Sequence, residues 1–133
     1  MTTRYQGSCS CKRVQFEAEV DLAAGTYKCN CTSCAKRRWW GVHAKPEKFR
    51  AISGADELVK WRPAKGPGGF CKHCGVVPFV SGDAAEWNDG DYVAVNVACL
   101  DGLSAAELSA IRPVVIDGRH DTWQPIEADT RYL

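Results

Sequence analysis

The chain has almost no net charge. Seventeen lysines and arginines against sixteen acidic residues leave +1, which removes the electrostatic case for a nucleic-acid partner or an acidic membrane surface. Apolar runs are only a few residues long, far short of the ~20 a membrane span needs, so no membrane partner is expected. The opening stretch MTTRYQGSCSC lacks the apolar segment of a secretory signal, and the expected location is cytoplasmic. No repeat, low-complexity segment or long linker interrupts the 133 residues. One domain over 1–133 with a modest core is therefore expected.

Cysteine, by contrast, is abundant: Cys9, Cys11, Cys29, Cys31, Cys34, Cys71, Cys74 and Cys99. An even count permits a disulfide scaffold. The missing export signal, a length sufficient for a core, and the C-x-C and C-x-x-C clustering all oppose that reading and favour metal chelation.

The strand pattern places these groups. YQGSCSCKRVQFEAEV reads as a β-hairpin with Cys9 and Cys11 in its turn, and Val14, Phe16, Ala18 and Val20 alternate with polar residues at the period of a half-buried strand. KFRAISG and ELVKWRP read as short strands around Ser53-Gly54-Ala55-Asp56, and PAKGPGG as a loop. DYVAVNVACL is the clearest strand, with Tyr92, Ala94, Asn96 and Ala98 on one face and Val93, Val95, Val97 and Cys99 on the other. One short helix follows. Ser104 and Glu107 form a capping box, Leu103 and Leu108 occupy the staple positions, and Arg112-Pro113 ends it. VVIDGRHDTW reads as a strand, an Asp117-Gly118 turn and a second strand. The fold class expected is mainly β with one short helix.

Cys9 and Cys11, with Cys71 and Cys74, make two chelating pairs at tight turns, and together they can surround Zn²⁺ as a closed tetrahedral S₄ set. Gly75 suits the positive backbone angle that such a knuckle needs. Lys12, Arg13 and Lys72 would moderate the site's charge, and His73 is read as pointing outward. Cys29, Cys31 and Cys34 supply three more thiolates, enough to grip a second zinc but not to close it. The fourth place could fall to His43, Cys99, a water or a substrate atom. Cys99 shares its face with three valines and reads as a buried small hydrophobe; His43 reads as a packed or surface imidazole. An open position, the pattern of a catalytic zinc, is favoured. Lys36, Arg37 and Arg38 either draw an anionic ligand or form a solvated face, while Trp39 and Trp40 read as core anchors before pocket walls.

In order, GSCSCKRVQFEA, CNCTSCAK and FCKHCGVVPFV resemble the hallmarks of the glutathione-dependent formaldehyde-activating enzyme and centromere-protein-V family. VNVACLDG and the tryptophan of RHDTWQPI sit where that family has a strand ending in Leu-Asp and a late tryptophan. The resemblance implies a β-tent zinc fold of small antiparallel sheets. It also implies two zinc ions per chain: a structural one on Cys9, Cys11, Cys71 and Cys74, and a catalytic one on Cys29, Cys31 and Cys34. The activity implied is that of a carbon–sulfur lyase joining glutathione and formaldehyde into S-hydroxymethylglutathione, or the reverse, with a small-molecule thiol such as glutathione as partner. The bulky AKRRWWGVH departs from the small residues usual there. A non-catalytic, zinc-stabilised binding module is the alternative from a different class.

Overall fold

A computed structural model describes residues 1–86 and 88–133. Strands β1 (Thr3–Ser8) and β2 (Gln15–Val20) form the expected antiparallel hairpin, with Cys9 and Cys11 in its turn. Next come β3 (Thr26–Cys29), helix α1 (Thr32–Arg37), β4 (Gly41–Ala44), β5 (Phe49–Ser53), the two-residue strands β6 (Leu58–Val59) and β7 (Phe70–Cys71), and β8 (Phe79–Gly82). The chain closes with β9 (Tyr92–Asn96), helix α2 (Ala105–Ala110) and β10 (Val114–Ile116). The fold is thus mainly β with short helices. It has a three-stranded sheet ordered β1-β2-β5, a five-stranded sheet β10-β3-β4-β9-β8, and the pair β6-β7.

Four details differ from expectation. The five-stranded sheet is mixed, because β10 runs parallel to β3. The two strands around Ser53–Asp56 do not pair with each other: β5 joins β2, and β6 joins β7. The clearest strand stops at Asn96, whose side chain accepts from the Ala98 N–H and turns the chain into a 3₁₀ segment over Val97–Cys99. After Asp117 no second strand forms; only Pro125 bridges back to Ile116.

Helix α1 was hidden by its own chemistry. Cys31 serves as its N-cap, its Sγ accepting from the Cys34 N–H as a Ser or Asp oxygen would, and Arg38 closes the other end in the left-handed conformation (φ 55°). The capping box of α2 forms as expected, and Leu103 and Leu108 pack on the core.

Strand β9 divides the interior. Val93 and Val95 face the main core with Val14, with Phe16, Ala18 and Val20 of β2, Val42 and Ala44 of β4, and Phe79. Phe16, Phe49 and Phe79 interlock there, with centroids 4.6–5.7 Å apart. Ala94 points the other way, into a smaller cluster with Trp39 and Val80, against which Tyr27, Cys34, Val77 and Tyr92 pack. Period-two alternation along one strand thus separates two compartments: Cys9, Cys11, Cys71 and Cys74 lie in or against the first, and Cys34 packs against the second.

Candidate metal centres

Cys9, Cys11, Cys71 and Cys74 converge, with all four sulfurs within 4.8 Å of one another. Two knuckles bring them there. In the first, Lys12 N–H returns to Cys9 O (3.1 Å) and Lys12 takes φ 67°. In the second, Gly75 N–H returns to Cys71 O (2.7 Å), and Gly75 takes φ 80°, the conformation that glycine adopts without strain. Cys9 and Cys71 belong to the main core. Burial pushes the Cys9 thiol up to about 11. Cys11 is held down to about 6, first by the Arg13 backbone N–H and then by the Arg13 side chain. Of the three expected counter-charges only Arg13 serves; Lys12 reaches Asp101 and Ser8, and Lys72 pairs with Glu57. His73 also bonds Glu57 (2.8 Å), in keeping with its outward reading.

The donor set passes a geometric test for zinc. A tetrahedral ion with Zn–S near 2.3 Å requires sulfurs ~3.8 Å apart, and Cys9–Cys11 and Cys11–Cys71 lie at 3.6 and 3.7 Å. All eight cysteines are free thiols.

Cys29, Cys31 and Cys34 form the second group, again with sulfurs within 4.8 Å. Cys29 ends β3, Cys31 caps α1, and Cys34 lies in its first turn. The backbone aims amides at the sulfurs: Cys31 N–H donates to Cys29 Sγ (3.4 Å) and Cys34 N–H to Cys31 Sγ (3.3 Å). Burial raises Cys29, and pushes Cys34 up to about 12. Burial also opposes ionising Cys31, but the Cys34 N–H and the neighbouring thiols outweigh it and hold that thiol below its ordinary range.

Among the described residues no further His, Cys, Asp or Glu joins these three. Cys99 lies in the main core, on the side of Cys9 and Cys74, where burial pushes it up to about 12. His43 Nε2 bonds instead to Tyr27 Oη (3.2 Å), which also accepts from Trp39 Nε1 (3.2 Å). The His43 ring keeps an exposed edge but stacks on Tyr92 at 4.2 Å; this crowding, with the charge of Arg62, pushes it down to about 4. The Tyr27–His43 pair shares the compartment of Cys34. Gly41 makes it possible, since a Cβ there would come within 2.5 Å of Trp39 Nε1 and 2.6 Å of the Tyr27 ring.

Asn30, Asp117 and Arg119, to which the sequence reading gave no part in the site, hold the C-x-C link. Asn30, buried between two of the thiols, donates from Nδ2 to Asp117 Oδ1 (2.9 Å) and accepts at Oδ1 from the Arg119 N–H (2.9 Å). Asp117 also takes His120. Gly118 backs onto Cys29, where an added Cβ would lie 2.6 Å from Sγ. The only sequence signal was Asp117-Gly118, which also suits a hairpin turn. In the KRRWW stretch, Arg37 bonds Ser33 and lies over the Trp61 ring (4.2 Å), and Arg38 reaches the Tyr132 carbonyl. Trp39 and Trp40 do anchor cores, one in each compartment.

A four-thiol group in the main core and a separate three-thiol group, whose Cys34 packs on the other side of the mixed sheet, define a class of two-centre, cysteine-rich β proteins. The chain belongs to the glutathione-dependent formaldehyde-activating enzyme family, whose profile matches residues 4–116 and so takes in all seven clustered cysteines. A crystal structure of a Rhodobacter sphaeroides protein, solved as a structural-genomics target, has the same fold. It is 27% identical, with a TM-score of 0.64 over 80% of this chain and 96% of that one. No described helix is long and apolar enough to cross a membrane.

Proposed function

We propose that the protein is a carbon–sulfur lyase that joins glutathione and formaldehyde into S-hydroxymethylglutathione, or cleaves that adduct, at Cys29, Cys31 and Cys34. The observation that carries this reading is the convergence of three thiols without a fourth described ligand residue, in a chain of this family. Zinc held by these three would supply a place where a thiol ligand is kept as its thiolate. In the forward direction an S–C bond forms, the carbonyl π pair moves to oxygen, and that oxygen takes the proton given up by the thiol.

The chain's own residues prepare this. Asn30, Asp117 and Arg119 fix the C-x-C link, so that the sulfurs keep their mutual distances. Trp39, Val80 and Ala94 keep water from the inner side of Cys34. The Tyr27 hydroxyl, bonded to Trp39 and to an imidazole that is neutral near pH 7, is the group we assign to the proton at the carbonyl oxygen. Cys9, Cys11, Cys71 and Cys74 would hold a structural zinc, two ions per chain in all, within one domain over 1–133. A cytoplasmic setting suits eight free thiols.

The test is titration of the zinc-loaded protein with glutathione, alone and with formaldehyde, beside a Cys31→Ser control. Expected are binding and a rate above the spontaneous addition, both lost in the control. Absence of both in the unaltered protein would overturn the lyase reading in favour of a zinc-stabilised binding module.

A further inference from the structure

Two residues in the segment after β10 adopt the left-handed backbone region: Asp121 (φ 58°) and Trp123 (φ 57°). Asp visits that region with some ease, whereas a bulky side chain there is an outlier that surrounding structure must hold in place. Burial does not offset it, since Trp123 is 54% exposed.

The holding contacts are specific. Thr122 N–H and Trp123 N–H both donate to the Asp117 carbonyl (3.2 and 3.1 Å), and Trp123 Nε1 donates to Asp121 Oδ1 (2.7 Å). Asp117 is itself tied to Asn30, between two of the three thiols. The ring is therefore fixed relative to the cysteines rather than merely near them.

Its position is given by Gly118. A Cβ on Gly118 would lie 2.6 Å from Cys29 Sγ and 2.8 Å from Trp123 Cζ3. The place that a Gly118 side chain would occupy is thus flanked by both the indole and the sulfur. The indole thus stands beside Cys29 at the edge of the three-thiol group, with about half of its surface open to solvent. Flat π surfaces gain most from flat partners laid against them, and a peptide plane is such a partner.

We infer that Trp123 is the specificity-determining wall of the three-cysteine site, placed to take the amide plane of a peptidic thiol and so to select it over simple alkyl thiols. This rests on the reading of that site as a thiol-binding centre. A small thiol such as 2-mercaptoethanol has nothing to lay on the ring and is indifferent to it.

The experiment titrates the cobalt-loaded protein with glutathione and with 2-mercaptoethanol, following the visible absorption of Co²⁺. Trp123→Ala is expected to weaken glutathione about tenfold while 2-mercaptoethanol stays within about twofold, and Trp123→Phe to keep most of the glutathione affinity. Cobalt content per chain is expected to be unchanged in both variants. Equal loss of both thiols, no loss of either, or loss of cobalt would each overturn the inference. An unaltered protein that answers to 2-mercaptoethanol but not to glutathione would sink the wall and spare the thiol site; one that answers to neither would sink both.

Discussion

The two cysteine groups use the same side chain for different ends, and the difference lies in what surrounds them. Cys9 and Cys71 are part of the main hydrophobic core, and their pairs come from turns distant in sequence, so four sulfurs tie the first hairpin to the middle of the chain. Cys29, Cys31 and Cys34 come from one short stretch and cross-link nothing remote. Their environment is aromatic on the Cys34 side and polar around Asn30. A closed donor set embedded in a core is suited to stability; a local, open set with a hydrogen-bonded rim is suited to exchange of a ligand.

The largest expected effect would set the two groups apart by stability. Cys71→Ser should remove the ion proposed for the four-cysteine group and with it folding free energy on the order of 10 kcal/mol, leaving no cooperative thermal transition. Cys31→Ser should keep that transition and lose only one metal equivalent, as read by metal analysis and calorimetry. If both variants unfold alike, the division of labour is wrong. Next in size, Tyr27→Phe should lower the proposed lyase rate about a hundredfold with the metal content of both groups unchanged, since it removes a positioned proton donor, along with the Trp39 and His43 hydrogen bonds, and leaves every thiol in place. Gly118→Ala should weaken metal at the three-cysteine group about tenfold, because Cys29 Sγ must yield to the new methyl, while the four-cysteine group keeps its ion. Competition with a chelator would resolve the two.

The smallest effect concerns pH. His43 is depressed to about 4 by its crowded setting and by Arg62, with Tyr27 and Tyr92 the titratable groups facing it. The unfolded chain therefore binds a proton at this position between its ordinary range near 6.5 and about 4, and the folded chain does not. The contribution is fully present above that window and falls away as the pH drops through it. In NMR titrations the His43 ring should remain neutral down to about pH 4; protonation near 6.5 would show that the Tyr27–His43–Tyr92 packing is looser than described.

Much of this was legible from residue order. The hairpin, the alternation of β2, the capping box of α2 and the grouping of seven cysteines all rest on local spacing, which a sequence displays directly. What escaped notice depends on partners far along the chain. Nothing local pairs β5 with β2 instead of β6, and the parallel docking of β10 on β3 needs the whole fold. Cysteine is not a usual helix cap, so α1 was concealed among its own thiols. Asn30 and Asp117 are ordinary polar residues until the fold brings them together across 87 positions.

The alternation along β9 has a consequence for how this protein can change. Its odd-numbered residues and the Val42 and Ala44 positions of β4 answer to the main core, while Ala94, with His43 opposite, answers to the three-cysteine compartment. The sheet acts as a partition with separate tenants. Substitutions on one side can be tried against new chemistry while the other side keeps the chain folded, so the three-cysteine compartment is free to drift within a lineage at little risk to the scaffold that carries it.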